Sequence, residues 1–413
     1  MTLLSTRPST TPSTAIDLFS DAALHDPYPL YARLRQLGPA ARLEQLGDVW
    51  AISRYADVRA VLADPVRFSS ARVALNDPAN DILAGSVLAS GGADHARPRG
   101  VLSPQLACHA LTGLYNVIVQ RADRLVAEVV QRRQFDAVSD LAVPFAGGII
   151  TDLTGLPGQD RDRLMAQLVA WSEGTFSALG PDNPRTRAAF PLAQAMDTYL
   201  AISATREKVR PGSWLARIYA AADRREISND ACIPLTRSSI VASAGPTIHA
   251  LTTLLGLLAR SPRNRQWRAV HRRAHDSGIL NAAVREAVRY DAPVQWACRT
   301  VTQDTSISGT PLTAGSQVLL LYGSANRDRA VWGPTADQFL VRRRSTEQHL
   351  ALGHGPHSCA GTHLAHMTIT AVLRSLARAC PTLRPARSAP PCRQLNNTLR
   401  GWASLPLTTT PPR

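Results

Sequence analysis

A chain of 413 residues, 45% of them hydrophobic, can bury a large core as one big domain or two ordinary ones. Its net charge of +15 comes from dispersed arginine, Lys208 being the only lysine among 46 basic residues, and no basic helix is interleaved with aromatics; that pattern argues against a nucleic-acid partner. Six cysteines without a C-x-x-C pair exclude a zinc ribbon or disulfide framework and point to the reducing cytoplasm.

Residues 1–20 are rich in Ser, Thr and Pro with no apolar h-region, and read as a flexible tail. No later run looks long enough to span a bilayer, so no membrane association is expected. Asp26-Pro27-Tyr28-Pro29 opens a helical pattern through Leu30, Leu34 and Leu37 that Gly38-Pro39 closes. Val49 to Ser53 suits a strand, and Tyr55 to Leu62 a helix stopped by Asp64-Pro65. Residues 69–93 lack periodicity and read as a long functional loop. From about 100 to 290 the pattern is helical, with breaks near Gly155, Gly180 and Pro211. Short strands return over 298–322, and Asn396-Asn397-Thr398 with Leu405-Pro406-Leu407 reads as a hairpin. The expected fold is one mainly helical domain, residues 21–413, with minor sheets.

Near the C-terminus, Leu352-Gly353-His354-Gly355-Pro356-His357-Ser358-Cys359-Ala360-Gly361 places one cysteine in a glycine-rich loop just before an apolar helix starting near Leu364. Glycines allow the tight turn, and a helix N-terminus favours an anionic sulfur, so Cys359 is expected to be a thiolate metal ligand. This loop resembles the haem-binding signature of cytochrome P450 enzymes, with Leu352 in place of the usual phenylalanine. The resemblance implies the triangular, mainly α P450 fold and haem b bound by Cys359 and Gly361. It also implies that His95, Arg99, Arg299 and His357 hold the propionates. Glu286 and Arg289, an i,i+3 pair able to meet on one helix face, resemble the family's Glu-x-x-Arg brace, its third partner being Arg342, Arg343 or Arg344. Within the family the likeness is greatest to bacterial demethylases of para-substituted benzoates. Asp26–Leu30, Ser69–Arg72, Pro293–Gln295, Gly323–Asp328 and Asn396–Gly401 carry it, and it implies an aromatic acid substrate beneath the 69–93 loop.

The chain departs from that family over the distal helix. The usual Ala-Gly-x-Asp/Glu-Thr reads Ala244-Gly245-Pro246-Thr247-Ile248-His249. In this alignment Thr247 replaces the acid and Ile248 the alcohol that guide protons onto dioxygen, and Ile248 offers no hydrogen bond. A register shift in which Thr247 or His249 takes over is the alternative. Pro246 removes one N–H and crowds the Ala242 carbonyl, a cost of roughly 3 kcal/mol inside a helix. Pocket candidates are Arg72, Phe176, Leu179, Ile240, Ala244, Val294 and Ala297. Leu179 and Ala297 stand where the demethylases carry aromatics, which enlarges the pocket; Ile240 aligns with their benzoate-binding serine, leaving Arg72 as the carboxylate anchor.

Three functions compete. The first is a haem-thiolate enzyme of secondary metabolism doing nitrene-type transfer or cyclisation from a substrate N–O bond, such as benzastatin-type cyclisation of a geranylated para-aminobenzoate. The second is an ordinary hydroxylase or O-demethylase fed by ferredoxin and ferredoxin reductase. The third is a non-catalytic haem sensor, which the lack of a fused partner domain disfavours.

Overall fold

The computed structural model describes residues 12–158 and 160–410. Its helices in chain order are α1 (Asp21–His25), α2 (Tyr28–Leu37), α3 (Tyr55–Leu62), α4 (Asp77–Leu83), α5 (Gly92–Leu102) and α6 (Cys108–Gln131). A wide-turn helical stretch, Ala137–Gly147, runs into α7 (Gly148–Thr154). Then come α8 (Arg161–Ala178), α9 (Pro184–Ser203), α10 (Trp214–Asp223), α11 (Cys232–Ala259), α12 (Arg265–His271), α13 (Ser277–Tyr290), α14 (Tyr322–Ala325), α15 (Arg329–Trp332) and α16 (Thr362–Ala379). The mainly helical expectation holds.

Local chemistry explains the helices that position the site. In α13 the buried Ile279, Leu280, Ala283, Val284, Ala287 and Val288 recur on one face, and Asp276 caps the start by accepting from the Gly278 N–H at 2.8 Å. That face meets Leu251, Leu254, Leu255 and Leu258 of α11 and Val372, Leu373 and Leu376 of α16 in the main core. Each such buried side chain contributes about 1.5–3 kcal/mol. The apolar stretches Ala137–Thr154 and Asn229–Ala259 are long enough to cross a bilayer, contrary to the sequence expectation, yet 61% and 72% of their most apolar 18-residue windows are buried within the fold. They are core helices.

Six short strands form one sheet in the order β1-β2-β3-β9-β6-β4: β1 (Ser13–Thr14), β2 (Ala40–Leu43), β3 (Val49–Ile52), β4 (Phe68–Ser69), β6 (Trp296–Val301) and β9 (Gln317–Leu321). Period-two alternation gives it two apolar faces. Trp50, Ile52, Val318 and Leu320 pack on Val58, Val61 and Leu62 of α3. Val49, Ala51, Leu319 and Leu321 pack on Ile16, Phe19, Tyr31 and Leu34. The expected tail is therefore corrected for residues 12–20, which lie in strand β1 and this core; residues 1–11 lie outside the described residues. The 69–93 loop is corrected too, since Asn76 caps α4 inside it by accepting from the Ala79 N–H at 2.8 Å.

Strand β5 (Gln134–Asp136) interrupts the helical half and pairs with β13 (Pro406–Thr410), which also pairs with β10 (Thr382–Pro385). Strands β7 (Thr305–Ile307) and β8 (Thr310–Leu312) form one hairpin, β11 (Cys392–Leu395) and β12 (Arg400–Ser404) another. The second hairpin is tied down by Asp291, which accepts from Arg400 Nε at 2.6 Å, Arg393 Nη2 at 3.3 Å and the Tyr28 hydroxyl at 2.6 Å. Burial alone would raise the Asp291 pKa, but Arg400, Arg393 and Arg327 hold the carboxyl well below its usual range. The hairpin tip, Asn396–Leu399, is thereby fixed beside α8 and α11.

Candidate active site

The cysteine loop is shaped by its own backbone. Gly353 and Gly355 sit at φ +73° and +71°, and a Cβ on Gly355 would come within 2.4 Å of the Leu62 carbonyl oxygen at the end of α3. The Cys359 N–H donates to the Leu352 carbonyl at 2.8 Å, and the Thr362 hydroxyl to the Cys359 carbonyl at 2.9 Å. Cys359 is accessible, although burial raises its thiol pKa; the Gly361 N–H, the Thr362 hydroxyl and the Arg99 charge oppose that only in part. Direct coordination to a cation deprotonates a thiol outright. Gly361 acts through its N–H, since a side chain there would meet the sulfur only at an ordinary 3.8 Å.

Behind the loop lies a fully buried ion-pair brace. Arg289 donates to Glu286 from Nε at 2.7 Å and from Nη2 at 3.0 Å, and Arg343 adds Nε at 3.0 Å. Arg289 Nη1 also reaches the carbonyls of Asn326 and Ala336 at 2.7 and 3.0 Å. Asn326 in turn accepts from the Leu350 N–H at 2.7 Å, at the entrance to the cysteine loop. Among the three candidate arginines, Arg343 is the partner.

His95, Arg99, Arg299 and His357 are brought together as expected. The rings of His95 and His357 lie 4.0 Å apart. Burial, then Arg299, His95 and Arg99, push His357 down to about 3; burial, Arg99 and Arg299 also lower His95. Arg99 contacts the Ser358 carbonyl and Arg299 donates to the Cys298 carbonyl at 2.7 Å. Among the described residues none of the four pairs with a carboxylate, and His95 Nε2 is buried without a partner. Two arginines without carboxylate partners, beside two histidines held neutral and one orphaned ring nitrogen, fit a dianionic group such as the two propionates of haem. The accessible Cys359 fits its iron.

Opposite the loop runs α11, packed among α7, α8, α9, α10, α13, α16 and β12. Ala242, Ser243, Pro246 and Thr247 nevertheless keep accessibility, while Ile240, Ala244, Ile248 and His249 are buried. At 100° per residue the open four share one arc, the side of α11 that its packed neighbours leave uncovered. Ile248 instead joins the main core. The helix runs on through Pro246, and one turn earlier Ser172 of α8 is inserted into it. Its hydroxyl donates to the Val241 carbonyl at 2.7 Å and accepts from the Gly245 N–H at 3.0 Å. His249 Nε2 lies 2.7 Å from Glu173 Oε1. Sequence reading missed Ser172 and Glu173; the one available signal was an acid within the otherwise apolar stretch of α8 that leads to Phe176.

Phe176, Leu179, Ile240 and Val294 converge in one apolar cluster with Leu399 of the hairpin tip. Ala297 and Val294 border the sheet core, and both are partly open, as is Leu179. Ala244 is buried off the open arc. Arg72 stands exposed, with its guanidinium paired to Asp77 at the surface.

A cytochrome P450 family model matches residues 272–399. The chain is 33% identical over 410 residues to cytochrome P450 CYP199A2 of Rhodopseudomonas palustris, covering 97% of this chain and 95% of that protein. It is 30% identical to the β-dihydromenaquinone-9 ω-hydroxylase of Mycobacterium tuberculosis, over 96% of this chain and 79% of that one. The crystal structure of CalO2 superposes with a TM-score of 0.81 at 29% identity, covering 96% and 99% of the two chains. CYP109E1 from Bacillus megaterium in complex with testosterone gives 0.84 at 22% identity over 95% and 100%, a likeness of fold.

Proposed function

Since the chain belongs to the cytochrome P450 family and is a haem-thiolate oxidoreductase of the monooxygenase class, binding haem b through a cysteine thiolate, we propose that it acts on a substituted aromatic carboxylate by transferring nitrogen from the substrate's own N–O bond. The observation carrying this reading is the open arc of α11, where Ala242, Ser243, Pro246 and Thr247 include no carboxylate. That arc favours aligning Ser243-Ala244-Gly245-Pro246-Thr247 with the family's motif. Pro246 then replaces the acid, Thr247 keeps the alcohol, and Ile248 is a core residue. The same one-residue shift brings Ser239, instead of Ile240, to the place of the demethylases' serine, which supports an aromatic acid.

Haem, when bound, supplies the chemistry of splitting a weak N–O or O–O bond at its iron. Cys359 would hold that iron, and His95, Arg99, Arg299 and His357 the propionates. Phe176, Leu179, Val294 and Ala297 would clasp the ring; small side chains at 179 and 297 leave room for a prenyl-type chain. Arg72 would exchange Asp77 for the substrate carboxylate. The family typically draws electrons from a ferredoxin and its reductase, which an N–O substrate does not require. A second reading, the ordinary monooxygenase of an aromatic acid, is favoured by the Thr247 hydroxyl on the open arc.

The test is anaerobic incubation of the holoenzyme with an N-acetoxy 4-aminobenzoate bearing a prenyl-type chain, without reductase or NADPH. Conversion is expected, together with a low-spin to high-spin change on binding that Arg72→Ala weakens for the acid and not for its neutral ester. No conversion without dioxygen would favour the second reading.

A further inference from the structure

Two glycines make room for one buried pair between α8, α11 and the hairpin. A Cβ on Gly245 would lie 2.9 Å from Glu173 Oε1, and one on Gly401 would lie 1.9 Å from His249 Nδ1. Glu173 Oε1 sits 2.7 Å from His249 Nε2, and Oε2 accepts from Asn396 Nδ2 at 3.3 Å. Asn396 also donates to the Glu173 carbonyl at 3.0 Å, while its own Oδ1 accepts the N–H groups of Thr398 and Leu399. The His249 side chain is 3% exposed, its Nδ1 has no partner, and its Nε2 meets Glu173 as a close contact without hydrogen-bond alignment; Glu173 remains 18% exposed. On the α11 surface His249 neighbours Ala242 and Pro246, seven and three residues away, so the pair borders the open arc.

We propose that Glu173 is the proton-accepting carboxylate of this site, contributed by α8 where α11 has lost its own, with His249 and Asn396 as its positioning residues. The proposal rests on the nitrogen-transfer reading. An N-acyloxy arylamine must lose the elements of a carboxylic acid. The N–O bond breaks with both electrons leaving on the carboxylate, the N–H proton passes to Glu173, and the electron-poor nitrogen bonds to the acceptor alkene. Thr247 lies 200° around the helix from both Gly245 and His249 at 100° per residue, so Glu173 and Thr247 do not form the family's acid–alcohol pair.

Glu173→Gln keeps the shape and removes the base. The expected result is unchanged affinity for the N-acetoxy probe, read from the spin-state titration, with an anaerobic single-turnover rate lower by about 10²–10⁴. Glu173→Asp should recover part of that rate, which an ion pair serving only to tie α8 to α11 would not require. Glu173→Gln turning over at the wild-type rate would overturn the proposal while leaving the nitrogen-transfer reading intact. Wild-type enzyme failing to convert the probe would overturn both. Should the Gln variant not take up haem, the Asp variant decides: a partial fall with binding intact supports Glu173, and a wild-type rate refutes it.

Discussion

The cysteine side and the distal side of this molecule are built on opposite plans. Behind Cys359 the charged groups of the brace are paired several times over, and the buried atoms left without partners there, Asn326 Nδ2 and His349 Nδ1, are neutral. Glu286 receives two guanidinium groups and the Leu340 N–H at 2.9 Å, and Arg289 spends its donors on one carboxylate and three carbonyls. On the distal side the groups are unsettled. Thr175, Thr398 and His249 keep buried polar atoms without partners, and a turn of α11 is held open by a side chain from α8. Buried networks that are fully satisfied fix a single geometry. The cysteine side is therefore the rigid holder, and the distal side carries the residues on which the proposed chemistry depends.

Breaking the holder should have the largest effects. Cys359→Ala should abolish the red-shifted Soret band of the reduced carbon monoxide complex; its persistence would assign the ligand to another cysteine. Glu286→Gln leaves two guanidinium groups buried with half their compensation, and removing one partner of such a pair costs about 3–5 kcal/mol. Denaturant unfolding should show that loss, with poor haem retention. A change within error would mean that the loop stands without its brace.

Acid should also attack the cysteine side. Burial and His366 push His349 down to about 4, and burial with Arg285 does the same to His366. Their unfolded forms protonate near 6.5, so between about 6.5 and 4 the unfolded chain binds more protons and stability falls as pH drops. Above that window both are neutral in either state and contribute no slope. Urea midpoints measured from pH 7.5 to 4.5 should fall on acidification, and His349→Gln should flatten part of the fall; an unchanged slope would remove His349 from the account.

The two plans also differ in how legible they were. The cysteine loop and the Glu286–Arg289 pair depend on residues within one loop or one turn, so spacing alone announced them. So did α2, β3 and α3, whose periodicity and stops are local. Choosing Arg343 over its neighbours required the fold, because the Glu286 carboxylate that it meets lies 57 residues away. On the distal side, Ser172 meets Val241 from 69 residues away, and only the packing angle of α8 on α11 shows which helix face is open. For that reason spacing did not show that Ile248 lies in the main core. The start of α4 was different: Asn76-Asp77-Pro78 is a readable cap followed by a first-turn proline, overlooked amid loop-like composition.

Smaller effects sharpen the distal half of the comparison. Ile248→Thr buries a hydroxyl in the main core and should cost about 1–3 kcal/mol. Thr247→Val on the open arc should change stability by no more than about 0.5 kcal/mol. Thermal unfolding of the two variants separates them. Equal stability of both would place Ile248, and not Thr247, on the open arc.

Poor proton delivery to dioxygen is what the proposed nitrogen transfer implies for a distal arc without an acid. It is tested most directly by supplying a prenylated aminobenzoate, NADPH, surrogate ferredoxin partners and ¹⁸O₂, and measuring both hydrogen peroxide and the isotope in the product. The expected result is NADPH consumption released as peroxide with little label incorporated. Tight coupling, with one ¹⁸O atom per product molecule, would contradict it and make Thr247 the proton-delivering residue.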